Sequence, residues 1–167
     1  MTLDELNRLA AADAVRELLA CCGSTVWARE IAAARPYHDL DALLAQSDRV
    51  WARLAPEDWL EAFGRHPRIG ERAATVASGI EKRWSEGEQS RARESGSEPL
   101  AELASVNAEY EERFGHVFLI CATGKSAGEI LANARSRLHN EPEDEIRVAA
   151  EEQRRITHLR LRKLLDT

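Results

Sequence analysis

Apolar residues recur with the period of an α-helix along almost the whole chain, and this pattern constrains the fold more than any other feature. On the first segment they fall on one helical face, at Leu3, Leu6, Ala10, Ala14, Val15 and Leu18. Helix starts are also marked: Thr2-x-x-Glu5 and Ser126-x-x-Glu129 are capping boxes, and Pro56, Pro99 and Pro142 suit a first helical turn. The sequence therefore predicts an all-α fold.

These signals place most of the helices. The first helix begins after Thr2 and runs through Leu18, and Pro56 opens the fourth. The other predicted helices cover 27–34, 39–54, 99–115, 126–139 and 142–165. The apolar run from Val117 to Ala122 is short and has no partner strand, so it predicts a buried connector rather than a sheet. We expect a compact helical bundle of about seven to nine helices, with residues 1–167 forming a single domain.

A rigid turn is predicted around His66, in the segment Phe63-Gly64-Arg65-His66-Pro67. Gly64 can end the preceding helix, and Pro67 moves His66 out of the α region into an extended conformation. An imidazole with a pKa of about 6.5 can both donate and accept a proton near neutral pH. On spacing alone, however, an ordinary turn residue fits equally well.

A second polar cluster lies at 84–89, where Ser85, Glu88 and Gln89 place a hydroxyl, a carboxylate and an amide close together. Ser85-x-x-Glu88 also fits a capping box at a helix start, which would be a structural role. The two interpretations are compatible, because a helix N-terminus offers free N–H donors to an anionic ligand.

Composition excludes several classes of function. The three cysteines are odd in number and lack C-x-x-C spacing, which favours a reducing compartment over a disulfide framework or a zinc site. No apolar run is long enough to span a membrane, so we expect a soluble, cytoplasmic protein. A formal net charge of −6 without a Lys/Arg run disfavours nucleic acid and anionic membranes as partners. An anionic small substrate needs only local cations, for which Arg65, Arg68 and Arg160 are candidates.

No metal or cofactor is expected. Glu112 and His116 have the spacing of metal ligands, but Gly115 should end the helix between them and no third ligand is near in sequence. The chain also lacks a glycine-rich phosphate loop and a nucleophile elbow.

The order and spacing of several motifs resemble the 2-oxo-4-hydroxy-4-carboxy-5-ureidoimidazoline (OHCU) decarboxylase family of urate degradation. The motifs are His66-Pro67-Arg68-Ile69-Gly70, Ser85-x-x-Glu88-Gln89, Asn107-x-x-Tyr110-x-x-x-Phe114-Gly115, the run 118–122, Gly124-Lys125-Ser126-Ala127-Gly128-Glu129-Ile130-Leu131 and the segment 151–161. The resemblance covers nearly the whole chain from Leu6 onward. One departure is His116, at a position that is often aromatic in the family.

The resemblance implies a cofactor-independent decarboxylation of OHCU to (S)-allantoin by a homodimer. It implies that His66 donates the proton and that Glu88 orients or activates the substrate and biases the charge of His66. The substrate contacts that it implies are Pro67, Ser85, Gln89, Phe118, Leu119, Ile120, Cys121 and Ala122, with Arg160 as a weaker candidate for the substrate carboxylate. Two alternatives remain open: a non-catalytic helical module that binds a ligand or partner, and a hydrolase acting on a related ureide.

Overall fold

The computed structural model describes residues 1–69, 84, 87, 88, 90 and 97–165. Over these residues the chain forms eight bounded helices and no strand, which confirms the all-α prediction. The helices are α1 (Leu3–Arg8), α2 (Ala11–Cys21), α3 (Thr25–Ala33), α4 (Leu40–Arg53), α5 (Pro56–Phe63), α6 (Ser97–Phe114), α7 (Ala127–Arg137) and α8 (Pro142–Leu164). Trp84, Gly87, Glu88 and Ser90 are helical as well. None of the described helices combines the length and the apolar character that a membrane span requires.

The predicted capping boxes at Thr2 and Ser126 are confirmed. The backbone N–H of Glu5 donates to Thr2 Oγ1 at 3.2 Å, and the N–H of Thr2 donates to Glu5 Oε2 at 2.7 Å. The same reciprocal pair joins Ser126 and Glu129 at the start of α7. Local sequence therefore sets where these two helices begin.

The first predicted helix is wrong in one respect, because the chain breaks it into α1 and α2. Leu9 and Ala10 adopt extended backbone angles between the two helices, with ψ values of 146° and 149°. Neither residue is a glycine or a proline. The Arg35 guanidinium donates to the carbonyl oxygens of Leu6 and Leu9, the latter at 2.9 Å, and so satisfies carbonyls at the end of α1.

Contacts divide the chain into two compact units, and the prediction of a single domain stays a prediction. Unit 1 comprises Met1–Ala62 and Arg154–Thr167. Its core includes Trp27, whose indole N–H donates to Ser47 Oγ at 3.3 Å. Several further side chains of this unit are completely buried, namely Leu6, Leu18, Ile31, Leu43 and Leu161.

Unit 2 comprises Phe63–Gln153. Its helices α6 and α7 pack against each other. The buried apolar cluster of this unit contains Ile69, Leu103, Val106, Tyr110, Phe118, Ile120, Ala122, Ala127, Ile130, Leu131 and Ala134. The segment 117–122 is neither helix nor strand, so the prediction of a buried connector is confirmed.

Candidate active site

The His66 turn follows directly on the end of α5. The backbone N–H of His66 donates to the carbonyl oxygen of Phe63 at 3.0 Å, and residues 64–66 leave the helix as predicted. The side chains of His66 and Pro67 are both half-buried. The imidazole is therefore carried by a short turn of unit 2 and not by a helix face.

Two contacts fix the residues after His66 against α6. Arg68 donates from Nε and Nη2 to the two carboxylate oxygens of Glu111, at 2.6 and 2.8 Å. Asn107, one helical turn earlier, donates from Nδ2 to the carbonyl oxygen of Ile69 at 3.2 Å. The hydrogen bonds from Arg68 hold the pKa of Glu111 below its ordinary value of 4.5, although burial opposes this. The positive charge of Arg68 is thus matched by a carboxylate within the protein.

Glu88 is helical and buried, with 8% of its surface exposed. A carboxylate in such a position is unusual unless it has a partner, and Glu88 does have further contacts. Ser85 and Gln89 lie outside the described residues, so the predicted Ser85–Glu88 capping box is neither confirmed nor contradicted.

Charged side chains hold part of the backbone of the connector, residues 117–122. The carbonyl oxygen of Leu119 accepts from Arg137 Nη1 at 2.8 Å. At Cys121 the N–H donates to Glu152 Oε2 at 2.7 Å, and the carbonyl oxygen accepts from Lys125 Nζ at 2.9 Å. Side chains therefore take the place that a neighbouring strand would occupy in a sheet.

Phe118 and Ile120, the two neighbours of Leu119, differ from Leu119 and Cys121 in their backbone hydrogen bonds. Phe118 and Ile120 are only 3% and 4% exposed, yet their backbone N–H and C=O groups form no hydrogen bond with any residue that the structure describes. Buried backbone groups are nearly always paired in native proteins, with protein, water or ligand. The peptide groups of Phe118 and Ile120 can accordingly take a polar ligand.

The electrostatics of Cys121 connect Glu88 with the connector. Burial raises the pKa of the Cys121 thiol; the positive charge of Lys125 opposes this, and the negative charges of Glu152 and Glu88 add to it. The carboxylate of Glu88 therefore lies within electrostatic range of Cys121. Among the predicted site residues, Glu88 acts on Cys121 of the connector through its charge, and His66 and Pro67 lie on a turn of the same unit.

Arg160 belongs to unit 1, where it is 5% exposed. Its Nη1 lies 3.5 Å from the carbonyl oxygen of Ala20. Its charge also acts on the Cys22 thiol, whose pKa is raised to about 11 by burial and lowered in part by Ser24, Thr157 and Arg160. Within this unit the guanidinium is part of a buried polar cluster.

A buried ion pair whose arginine bonds the connector was not predicted from the sequence. Arg137 is 5% exposed and Glu145 is fully buried, and Arg137 Nε donates to Glu145 Oε1 at 2.8 Å. The Tyr110 hydroxyl donates to the same oxygen, and Asn140 Nδ2 donates to Oε2 at 2.7 Å. One signal in the sequence could have indicated this pair. Arg137 follows Ile130 and Ala134 at helical spacing, so it lies on the same buried face of α7.

His116 packs among aromatic rings. Its ring centroid lies 5.3 Å from that of Phe63, 5.5 Å from that of Tyr110 and 6.3 Å from that of Phe114. Burial lowers its pKa, which favours the neutral imidazole. Gly115, with a φ of +75°, ends α6 before His116, as predicted. In the described ranges, no three His, Cys, Asp or Glu side chains are grouped as metal ligands would be.

Comparison with known proteins gives matches at three levels. A family model for OHCU decarboxylase matches residues 7–162. The OHCU decarboxylase of Haloferax volcanii is 29% identical over 167 residues, which cover 96% of this chain and 94% of that protein. A crystal structure of OHCU decarboxylase in the presence of (S)-allantoin superposes with a TM-score of 0.79 at 34% identity, covering 90% of this chain and 98% of that one. These matches confirm the resemblance found in the sequence.

Some of the relatives are much longer proteins. The uric acid degradation bifunctional protein TTL of Arabidopsis thaliana is 36% identical over 147 residues, which cover 87% of this chain and 45% of that protein. The present chain thus spans less than half the length of that bifunctional relative.

Proposed function

Because the chain belongs to the OHCU decarboxylase family, we propose that it converts OHCU to (S)-allantoin in urate degradation, as a carboxy-lyase. The observation that best supports this comes from unit 2, where a buried carboxylate acts electrostatically on a connector that has peptide groups without a hydrogen bond to any described residue. Glu88 lies within electrostatic range of a connector whose Ile120 N–H and C=O have no described partner. Such a site suits a small ureide, which offers both amide donors and carbonyl acceptors.

The reaction needs no external electron sink. The carboxylate of OHCU leaves a carbon that adjoins the ring C=N, so the electron pair released with CO₂ moves into that imine. The enzyme then has to hold one conformation and deliver a proton to one face. We assign the proton delivery to His66, whose position on a turn limits the faces that it can reach.

Glu88 has a supporting role in this proposal. Its carboxylate orients or activates the substrate hydroxyl and biases the charge of His66. The peptide groups of the connector bind the ureide from the other side, and Pro67, Ser85 and Gln89 shape the rest of the site. Arg160 is the weaker candidate for binding the substrate carboxylate.

We also propose a homodimer in the cytoplasm that acts on this small substrate without nucleic acid, membrane or cofactor. The net charge of −6 argues against nucleic acid as a partner, because its phosphate backbone would be repelled. The absence of C-x-x-C spacing among the three cysteines supports a reducing compartment.

The direct test uses freshly generated intermediates of urate oxidation, with CO₂ release and the optical rotation of the allantoin measured together. We expect CO₂ release above the spontaneous rate and a product enriched in (S)-allantoin, also after chelation and dialysis. His66→Asn should fold and release racemic product at the spontaneous rate, because an amide cannot supply the proton. Ring opening without CO₂ would indicate a hydrolase instead, and no turnover would indicate a binding module.

The role of Glu88 has a matched control elsewhere in the chain. Glu129 is the N3 residue of an observed capping box, so Glu129→Gln measures what a purely structural glutamate contributes. We expect Glu88→Gln to lower turnover by roughly 10²-fold or more, as is typical of losing an acid–base group, while Glu129→Gln leaves turnover unchanged. If both variants keep the wild-type rate, Glu88 serves only as a structural residue.

A further inference from the structure

The connector is held in place without a neighbouring strand among the described residues. Three charged side chains bond its backbone instead: Arg137 at the end of α7, Glu152 in α8 and Lys125 in the turn before α7. Bonding at Leu119 and Cys121 holds the residues on both sides of Ile120, while the peptide groups of Ile120 itself form no hydrogen bond with a described residue.

Arg137 is fixed by several contacts of its own. Its guanidinium bonds Glu145, which is itself held by Tyr110 and Asn140, and it lies over the Phe118 ring at 4.7 Å from the centroid. The planar guanidinium has its donors in a rigid fork, so these contacts also fix where Nη1 points. That donor is the one that meets the carbonyl oxygen of Leu119, at 2.8 Å.

The ion pair itself does not explain this arrangement. Burying an arginine and a glutamate carries a desolvation cost that often cancels their attraction, and apolar residues of similar size would fill the space as well. The network, however, also places a donor at one backbone carbonyl of the connector. A shift of the connector by one residue would bring a different carbonyl to this donor and displace the Ile120 peptide groups.

We propose that Arg137 is a positioning residue for substrate binding. It sets the register of the connector so that the N–H and C=O of Ile120 face the ureide, and it does so without touching the substrate. This inference rests on the proposed function, since it assigns the Ile120 peptide groups to the same substrate.

The test measures kinetics per folded molecule for Arg137→Met and Arg137→Lys. Arg137→Met should raise KM for OHCU and the inhibition constant of (S)-allantoin in parallel, by about tenfold or 1.4 kcal/mol, while kcat changes much less. Arg137→Lys should lie between wild type and Arg137→Met, because an ammonium can bond the carbonyl but lacks the fork. If Arg137→Met does not fold, the same comparison of KM and inhibition constant on Arg137→Lys decides the question.

Two controls separate positioning from general stability. Arg135 lies on the same helix and pairs with Glu102 at the surface, so Arg135→Met removes an arginine–glutamate pair that does not touch the connector. Leu43→Ala removes a fully buried core side chain of unit 1, outside the apolar cluster that contains Phe118 and Ile120, and lowers stability. Both controls should keep KM and the inhibition constant at wild-type values.

The inference is overturned if the Arg137 variants lose stability while KM and the inhibition constant stay unchanged. Turnover of the wild-type protein tests the proposed function. If the wild-type protein does not decarboxylate OHCU, the proposed function is overturned, and the inference that rests on it is overturned too. Decarboxylation by wild type with unchanged constants in the Arg137 variants overturns the inference alone.

Discussion

Tyr110→Phe removes one hydroxyl from the buried network of unit 2 and leaves the ring in place. Tyr110 is fully buried, and its hydroxyl donates to the carboxylate of Glu145, which is also fully buried. A hydrogen bond to a charged group contributes about 1.5–3 kcal/mol to stability. Glu145 keeps its bonds from Arg137 and Asn140, so we expect the lower part of this range, about 2 kcal/mol. For a chain of this size that corresponds to a fall in Tm of about 4–8 °C.

Tyr37→Phe is the matched control for this change. The Tyr37 hydroxyl is also buried, but it donates to a neutral acceptor, the carbonyl oxygen of Ile31, at 2.8 Å. Its loss should cost about 0.5–1.5 kcal/mol. Urea unfolding followed by far-ultraviolet circular dichroism measures both changes. Burial raises the pKa of Tyr110 far above its ordinary value, so its hydroxyl stays protonated and the cost should be the same at pH 7 and pH 9.

The reasoning is refuted if Tyr110→Phe costs no more than Tyr37→Phe. In that case the bond to the buried carboxylate is no stronger than a neutral one, and the network does not stabilise unit 2 as described.

Three further predictions follow from the pKa shifts. Burial lowers the pKa of His116, so the folded state binds a proton less readily than the unfolded state. The free energy of unfolding should therefore fall as the pH drops below about 6.5. His116→Phe should weaken this pH dependence between pH 7 and pH 5, as urea unfolding will measure. Burial raises the pKa of Cys22 to about 11, so maleimide at pH 8 should label Cys22 only on unfolding, while the half-buried Cys121 reacts slowly in the native protein, as mass spectrometry will show. Arg68 lowers the pKa of Glu111, so this ion pair stabilises the fold above about pH 4.5 and its contribution is lost as the pH falls further. Glu111→Gln should remove this pH dependence of the free energy of unfolding. It should lower that free energy by less than about 1 kcal/mol, because the pair is partly exposed.

The sequence by itself determined the features that depend on neighbouring residues. The capping boxes at Thr2 and Ser126 placed two helix starts, and Pro56 and Pro142 are the first residues of α5 and α8. Gly115 ended α6 as expected. These signals act within one helical turn, so they can be read without knowledge of the fold. The family motifs could be read in the same way, because their order and spacing are properties of the chain alone.

The tertiary structure decided what depends on residues far apart in sequence. The break between α1 and α2 has no local signal, because the donor that satisfies the α1 carbonyls is Arg35. The same holds for Arg137, an ordinary residue for the last turn of a helix until Glu145 and Leu119 lie beside it. Hydrogen bonds of this kind join groups that folding brings together, and a buried polar group is stable only where its partner is present. The sequence therefore locates the helices and the motifs, and the packing decides which side chains hold the connector.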